Sequence, residues 1–247
     1  MASDLVQLDH VSLTYFTGEA ATTAIADLTF SVKQGEFVAI VGPSGCGKTS
    51  VLSILMGLIP PTFGTVRFSK ENCRIGYMLQ RDHLLEWRTV EKNVLLGLEV
   101  QHRLTESSKA RAMELLSTYG LTPFLHHKPH QLSGGMRQKV ALIRTLAPDP
   151  ELLLLDEPFS ALDYQTRLHI GDEVHAIIKQ EKRTAILVTH DIGEAVSLAD
   201  RVLVFSERPC TVRSIVPIDI REYSPLQRRK QPAFQAYFEE IWEEMNA

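Results

Sequence analysis

The chain has 247 residues, 44% of them hydrophobic and 23% charged, a composition that fits an ordinary globular protein and excludes a disordered or fibrous one. Its formal charge of -4, from 26 Lys+Arg against 30 Asp+Glu, gives no global attraction to nucleic acid or anionic lipid. Three scattered cysteines, Cys46, Cys73 and Cys210, make neither a disulfide framework nor a CxxC metal site and point to a reducing, cytoplasmic compartment.

The N-terminal residues 1–10 carry Asp4 and Asp9 and have neither a basic start nor an apolar core, so they do not read as a signal peptide. Alternation over 5–15, and again at Leu28, Phe30 and Val32, with Gly18 and Gln34-Gly35 as punctuation, predicts a small N-terminal antiparallel layer. Short buried-strand patterns then recur over 37–41, 75–79, 152–155, 185–188 and 202–205, several followed by helical periodicity. That alternation predicts a parallel sheet wrapped by helices, an α/β fold. The most apolar stretch, 51–59, is interrupted by Ser53 and Gly57 and stopped by Pro60-Pro61, far short of the roughly 20 apolar residues that span a bilayer.

Between the second and third of these strands the sequence turns helical. Ala112, Leu115, Leu116 and Tyr119 share one face that ends at Gly120, and a further helix starts near Ser133, buries Val140, Ile143 and Ala147, and stops before Pro148. The region 84–147 therefore reads as an inserted helical lobe. His126, His127 and His130 flank Lys128-Pro129 and read as an exposed turn, since no carboxylate or cysteine completes a metal set. A C-terminal helix is expected over 225–247, with Phe234, Tyr237, Phe238, Ile241, Trp242 and Met245 on one face and Glu239, Glu240, Glu243 and Glu244 on the other. Its glutamates would be repelled by anionic lipid, so core packing fits that face better than a membrane surface.

The chemistry-bearing residues sit at strand ends. After the strand ending at Val41 comes Gly42-Pro43-Ser44-Gly45-Cys46-Gly47-Lys48-Thr49, which matches GxxxxGK[ST] and runs straight into an apolar helix. Glycines let successive backbone N–H groups turn toward phosphate oxygens, and the helix N-terminus adds partial positive charge. Lys48 supplies a point charge for β and γ phosphates, and Thr49 offers a hydroxyl to Mg²⁺. Cys46 reads as a small packing residue in this loop. The apolar run Leu152-Leu153-Leu154-Leu155 delivers Asp156 and Glu157 at the same sheet edge. Asp156 can hold Mg²⁺ and Glu157 can polarise an attacking water. Ser133-Gly134-Gly135 opens a helix with Ser133 as N-cap, a second anion site in one chain.

Leu132-Ser133-Gly134-Gly135-Met136-Arg137-Gln138, upstream of Asp156, resembles the signature sequence of ABC transporter ATP-binding subunits, and the likeness covers nearly the whole chain with its motifs in the family's order. The resemblance implies one domain over 1–247: a RecA-like P-loop NTPase core, an N-terminal antiparallel β subdomain and an inserted α-helical subdomain. It implies ATP and Mg²⁺, with Gly42 to Thr49 and Ser50 around the nucleotide. Tyr15 would stack on adenine, with the adjacent Phe16 a rival, and Thr49, Gln80 and Asp156 would hold Mg²⁺. Glu157, His190, Lys48 and Gln80 would carry hydrolysis. In a head-to-tail homodimer, Ser133, Gly134, Gly135 and Gln138 would close over the partner's ATP, with Ser160-Ala161-Leu162-Asp163 crossing the interface. Gln80 and His190 each follow a predicted strand, so both would project at the active edge.

Leu84-Leu85-Glu86-Trp87-Arg88-Thr89-Val90 and the segment 156–163 resemble the ATPases of nitrate, sulfonate and taurine type importers. The implied machine is an ATPase that docks on separate integral membrane permease subunits at the inner face of the membrane. A solute-binding protein would take part indirectly, and no nucleic acid is involved. Glu86 stands where those relatives have Pro, Lys139 where Arg is usual, Thr49-Ser50 reverses the commoner order, and no Pro-Arg repeat occurs near 220–223, so the solute is left open. Repair and chromosome-organising ATPases share the signature but carry a coiled-coil insertion, translation ATPases carry two cassettes, and the Asn-Lys-x-Asp guanine-reading motif of GTPases is not visible.

Overall fold

The computed structural model describes residues 3–18 and 20–246. Met1 and Ala2, included in the signal-peptide reading, and Ala247, at the end of the expected C-terminal helix, lie outside the described residues. Strands β1 (Asp4–Thr17) and β2 (Ala20–Lys33) pair antiparallel, with Leu8 opposite Phe30 and Val11 opposite Leu28. β3 (Phe37–Val41) leads through the glycine loop into α1 (Lys48–Leu55), and β4 (Phe63–Phe68) and β5 (Ile75–Met78) follow. Helices α2 (Val90–Val100), α3 (Glu106–Thr118) and α4 (Gly134–Leu146) come next. The chain then runs through β6 (Leu152–Asp156), α5 (Tyr164–Gln180), β7 (Thr184–Val188), α6 (Ile192–Leu198), β8 (Arg201–Phe205) and β9 (Cys210–Pro217) to α7 (Pro225–Arg228) and α8 (Pro232–Asn246).

Among the described residues the strands form one sheet in the order β4-β1-β2-β9-β8-β3-β7-β6-β5. The stretch β8-β3-β7-β6-β5 is parallel. The antiparallel N-terminal layer does not stand apart from it: β9 pairs parallel with β2 and antiparallel with β8, stitching the two parts together. Neither β4 nor β9 is expected from the sequence. β4 is largely exposed, and β9 buries only its ends, so neither shows the alternation that marks a half-buried strand.

Strand periodicity divides the core between the two faces of the sheet. Ala39, Val41, Leu153, Leu155, Ala185, Leu187, Val202 and Val204 pack with the α2-to-α4 helices and with α5, α6 and α8. Their sequence neighbours Val38, Ile40, Leu152, Leu154, Ile186, Val188 and Leu203 face α1 and the β1-β2 hairpin. Because β3, β6, β7 and β8 are covered on both sides, their sequences are almost continuously apolar rather than alternating, whereas the edge strand β5 is buried on one side only.

The expected continuous helix over 225–247 is broken into α7 and α8. Pro232 opens the second helix, and proline both lacks an N–H and disfavours helical geometry in the residue before it. Ile241 is buried, and Phe234, Tyr237, Phe238 and Met245 pack against the core, whereas Trp242 stays exposed and stacks on Phe238. Among the described residues no helix is long and apolar enough to cross a membrane.

Candidate active site

The site is built where the parallel strands end. Gly47 caps α1 at φ 127°, a backbone geometry that L side chains rarely adopt. The amides that follow open into a cleft of ≈ 230 Å³ lined by Ser44, Gly45, Gly47, Lys48, Thr49, Ser50, Glu157 and Arg208. The Lys48 ammonium is nearly buried and donates to the carbonyls of Gly42 at 2.8 Å and Pro43 at 2.9 Å, which fold it back over the loop. It is thereby held in place, ready to exchange those carbonyls for a more strongly accepting anion.

Asp156 ends β6 at 8% exposure and accepts a hydrogen bond from the Tyr77 hydroxyl at 2.9 Å. Burial pushes its carboxyl above the usual carboxylate range, and hydrogen bonds from Tyr77 and Thr49 only partly oppose that. Tyr77 is not marked by the sequence, because its partner lies on the neighbouring strand. The next residue, Glu157, has φ 45°, unusual for a side chain larger than glycine. Its N–H donates to the Val188 carbonyl at 2.8 Å, and its own carbonyl accepts from the Ser160 amide and hydroxyl. These bonds hold the strained turn and set the direction of the carboxylate.

Three residues distant in sequence meet at that carboxylate. Gln80 Nε2 donates to Glu157 Oε2 at 3.2 Å, and His190 Nδ1 lies 3.2 Å from the same oxygen. Both come from the two-residue overhang beyond β5 and β7, the edge position expected from the sequence. The Tyr15 hydroxyl shares a 3.1 Å hydrogen bond with Ser50 at the start of α1, while Phe16, whose side chain alternates to the other face of β1, is 73% exposed.

Cys46 is buried, as a packing residue should be, but it is not isolated: the Cys210 thiol on β9 neighbours it, and the contact between the two, with the Lys48 charge beside them, lowers the Cys46 thiol from its ordinary range. Cys210 is itself pushed up by the same contact and by burial.

Ser133 caps α4, accepting from the Met136 amide at 3.3 Å. A side chain at Gly135 would come within 2.9 Å of Ile170 on α5, and one at Gly134 within 3.2 Å of Leu162. The second glycine thus has a packing reason of its own, namely the close approach of α4 to α5. Neither Ser133 nor the glycines line the phosphate-loop cleft of their own chain. Gln138 is buried, with Oε1 lacking a partner among the described residues, and lines a separate cavity with Arg81, Asp82, Arg137 and Ala161. Among the described residues no three His, Cys, Asp or Glu gather into a metal cage, His126, His127 and His130 included.

The sequence profile of the ABC transporter family matches residues 25–160. An uncharacterised ABC transporter ATP-binding protein of Bacillus subtilis is 47% identical over 98% of this chain and 96% of its own length. The chain belongs to the ABC transporter family. This ABC protein is an ATP-binding and ATP-hydrolysing subunit coupled to transport. It is also 36% identical to an aliphatic sulfonates import ATP-binding protein of Bacillus licheniformis, over 92% of this chain and 89% of that one. A taurine import ATP-binding protein of Yersinia pestis is 40% identical over 75% of each chain. Its fold matches a dimeric ATP-binding cassette in a post-hydrolysis state bound to ADP and Pi, with TM-score 0.72 and 32% identity over 86% of this chain and 98% of that structure.

Proposed function

We propose that this ABC ATPase closes as a head-to-tail homodimer on two ATP molecules and drives a membrane permease that imports a small organic solute or anion of the nitrate, sulfonate or taurine kind. The observation that carries the hydrolytic part is the convergence of Gln80 and His190 on the Glu157 carboxylate, beside the phosphate-loop cleft. Lys48 and the loop amides bind the β and γ phosphates, and Tyr15 stacks on the adenine. Glu157 orients and polarises the attacking water, a contribution of about 10²- to 10⁴-fold. His190 contacts the γ-phosphate and fixes the Glu157 carboxylate.

A magnesium ion fits the donors present: an oxygen-only set of Thr49, Gln80 and a buried Asp156 whose carboxyl lacks full compensation, with phosphate oxygens completing it. When bound it neutralises charge developing on the phosphates. Ser133, Gly134, Gly135 and Gln138 close over the partner's nucleotide, since their own chain's cleft does not include them. Trp87, 73% exposed beside Glu86, lies on the surface that meets the permease and holds the ATPase at the inner face of the membrane.

The solute class rests on the sulfonate and taurine import relatives and on the segment 84–90. Uptake of labelled taurine, an alkanesulfonate and nitrate by cells with and without the gene tests it. Loss of one uptake supports the assignment, and unchanged uptake of all three contradicts it. For the nucleotide site, Lys48→Ala is expected to weaken Mg-ATP binding at least tenfold in a titration, and equal affinity would remove Lys48 from its role.

A further inference from the structure

The phosphate-loop cleft has one wall that comes from outside the nucleotide motifs. Arg208 stands in the Glu207-Arg208-Pro209 turn between β8 and β9 and lines the cleft together with Lys48, Thr49 and Glu157. The turn is anchored on both sides of Arg208. Before it, Phe205 packs so closely on the loop that a side chain at Gly42 would lie 3.0 Å from the Phe205 Cβ. After it, Cys210 lies 3.6 Å from where a Gly47 Cβ would be and contacts Cys46.

The neck of the turn is closed by Ser206 and Thr211. The Ser206 amide donates to the Thr211 carbonyl at 3.0 Å, the Thr211 amide donates to the Ser206 hydroxyl at 2.9 Å, and the two hydroxyls lie 3.1 Å apart. Only the four residues from Glu207 to Cys210 lie beyond this neck, so the backbone of Arg208 has a fixed place against the loop. Arg208 is exposed and forms no salt bridge among the described residues. An unpaired, forked cation on a preorganised turn, facing a loop whose amides and Lys48 select anions, is arranged to bind phosphate oxygens bidentately.

We propose that Arg208 is a nucleotide-binding residue, gripping the phosphate chain of ATP from the β8-β9 turn. This rests on the cleft being the ATP site. Lys48 and Arg208 would share the charge of the triphosphate, one from the helix end and one from the turn.

Titration of Mg-ATP against wild type, Arg208→Ala, Arg208→Gln and Arg208→Lys tests it, with thermal unfolding of each protein without nucleotide. The Ala and Gln variants should bind about tenfold more weakly, the worth of one charge-assisted contact. The Lys variant should recover part of the loss, because it keeps the charge and loses the fork. Unfolding temperatures without nucleotide should be unchanged, since the side chain is exposed and makes no hydrogen bond or salt bridge among the described residues. Wild-type affinity in both Arg208→Ala and Arg208→Gln would overturn the assignment while leaving the site reading intact. Failure of the wild type to bind Mg-ATP would overturn both.

Discussion

Burial raises the Asp156 carboxyl above its ordinary range, so this residue opposes stability wherever it is ionised. The sign follows from linkage: with a folded pKa above the unfolded one, its favourable contribution is complete below the unfolded pKa and is lost as pH rises through the folded pKa. At neutral pH the metal-free protein holds an under-compensated buried charge. Asp156→Asn should therefore raise metal-free stability at pH 7 by roughly 0.5–2 kcal/mol while abolishing Mg²⁺-dependent turnover, a trade of activity for stability. Urea unfolding and a phosphate-release assay measure the two halves, and a destabilised Asn variant would contradict the account. Tyr77→Phe removes the 2.9 Å hydrogen bond to Asp156 and should leave the fold intact while shifting the Mg²⁺ dependence of turnover. At this scale the sequence is informative where the chemistry is contiguous. The glycine loop and the Asp156-Glu157 pair read directly because neighbours in the chain do the work together. Tyr77, Cys210 and Arg208 do not, because each is brought to the site across strands or through a turn.

Among the elements, α5 and α7 depend on buried polar groups that no periodicity reveals. His175 on α5 lies against the Phe37 ring at 5.6 Å, and burial, with the nearby Arg228 charge, lowers its pKa to about 4. An unfolded histidine titrates near 6.5, at about its unperturbed value. The stabilising contribution of the neutral imidazole is therefore present above about 6.5 and lost as pH falls toward 4. Unfolding free energies at pH 7 and pH 5 should differ less in His175→Phe than in wild type, and an identical pH slope would exclude this origin. Arg228 is fully buried in α7 and donates to the carbonyls of Ala199 at 2.8 Å, Tyr223 at 3.1 Å and Arg221 at 3.2 Å. Arg228→Met should cost about 2–4 kcal/mol, because it strands those acceptors in the interior; a loss under 1 kcal/mol in urea unfolding would show that the acceptors find other donors. The parallel strands and α4 were legible from their apolar runs and caps. The β9 strand and the α7-α8 break were not: one is a partly exposed joining strand, and the other turns on Pro232, which separates the polar residues 227–231 from the apolar face that begins at Phe234.

Across the whole molecule, the two anion-selecting helix ends of the chain are separate. The N-terminus of α1 opens into the cleft with Glu157, whereas the N-terminus of α4 is packed by its glycines against α5 and the segment after β6. On the proposed reading a single copy presents half of two sites, which a second copy turned head-to-tail would complete. Blocking hydrolysis without disturbing the fold should trap that pairing. Glu157 makes its contacts through one carboxylate oxygen and its backbone, so Glu157→Gln preserves the shape of the turn while removing the charge proposed to polarise water. The most direct measurement is the solution mass of Glu157→Gln by light scattering, with and without Mg-ATP, alongside its turnover. The account predicts a monomer that becomes a stable dimer on adding Mg-ATP, with turnover reduced about 10²-fold or more. A variant that stays monomeric with saturating Mg-ATP and hydrolyses it at the wild-type rate would contradict it.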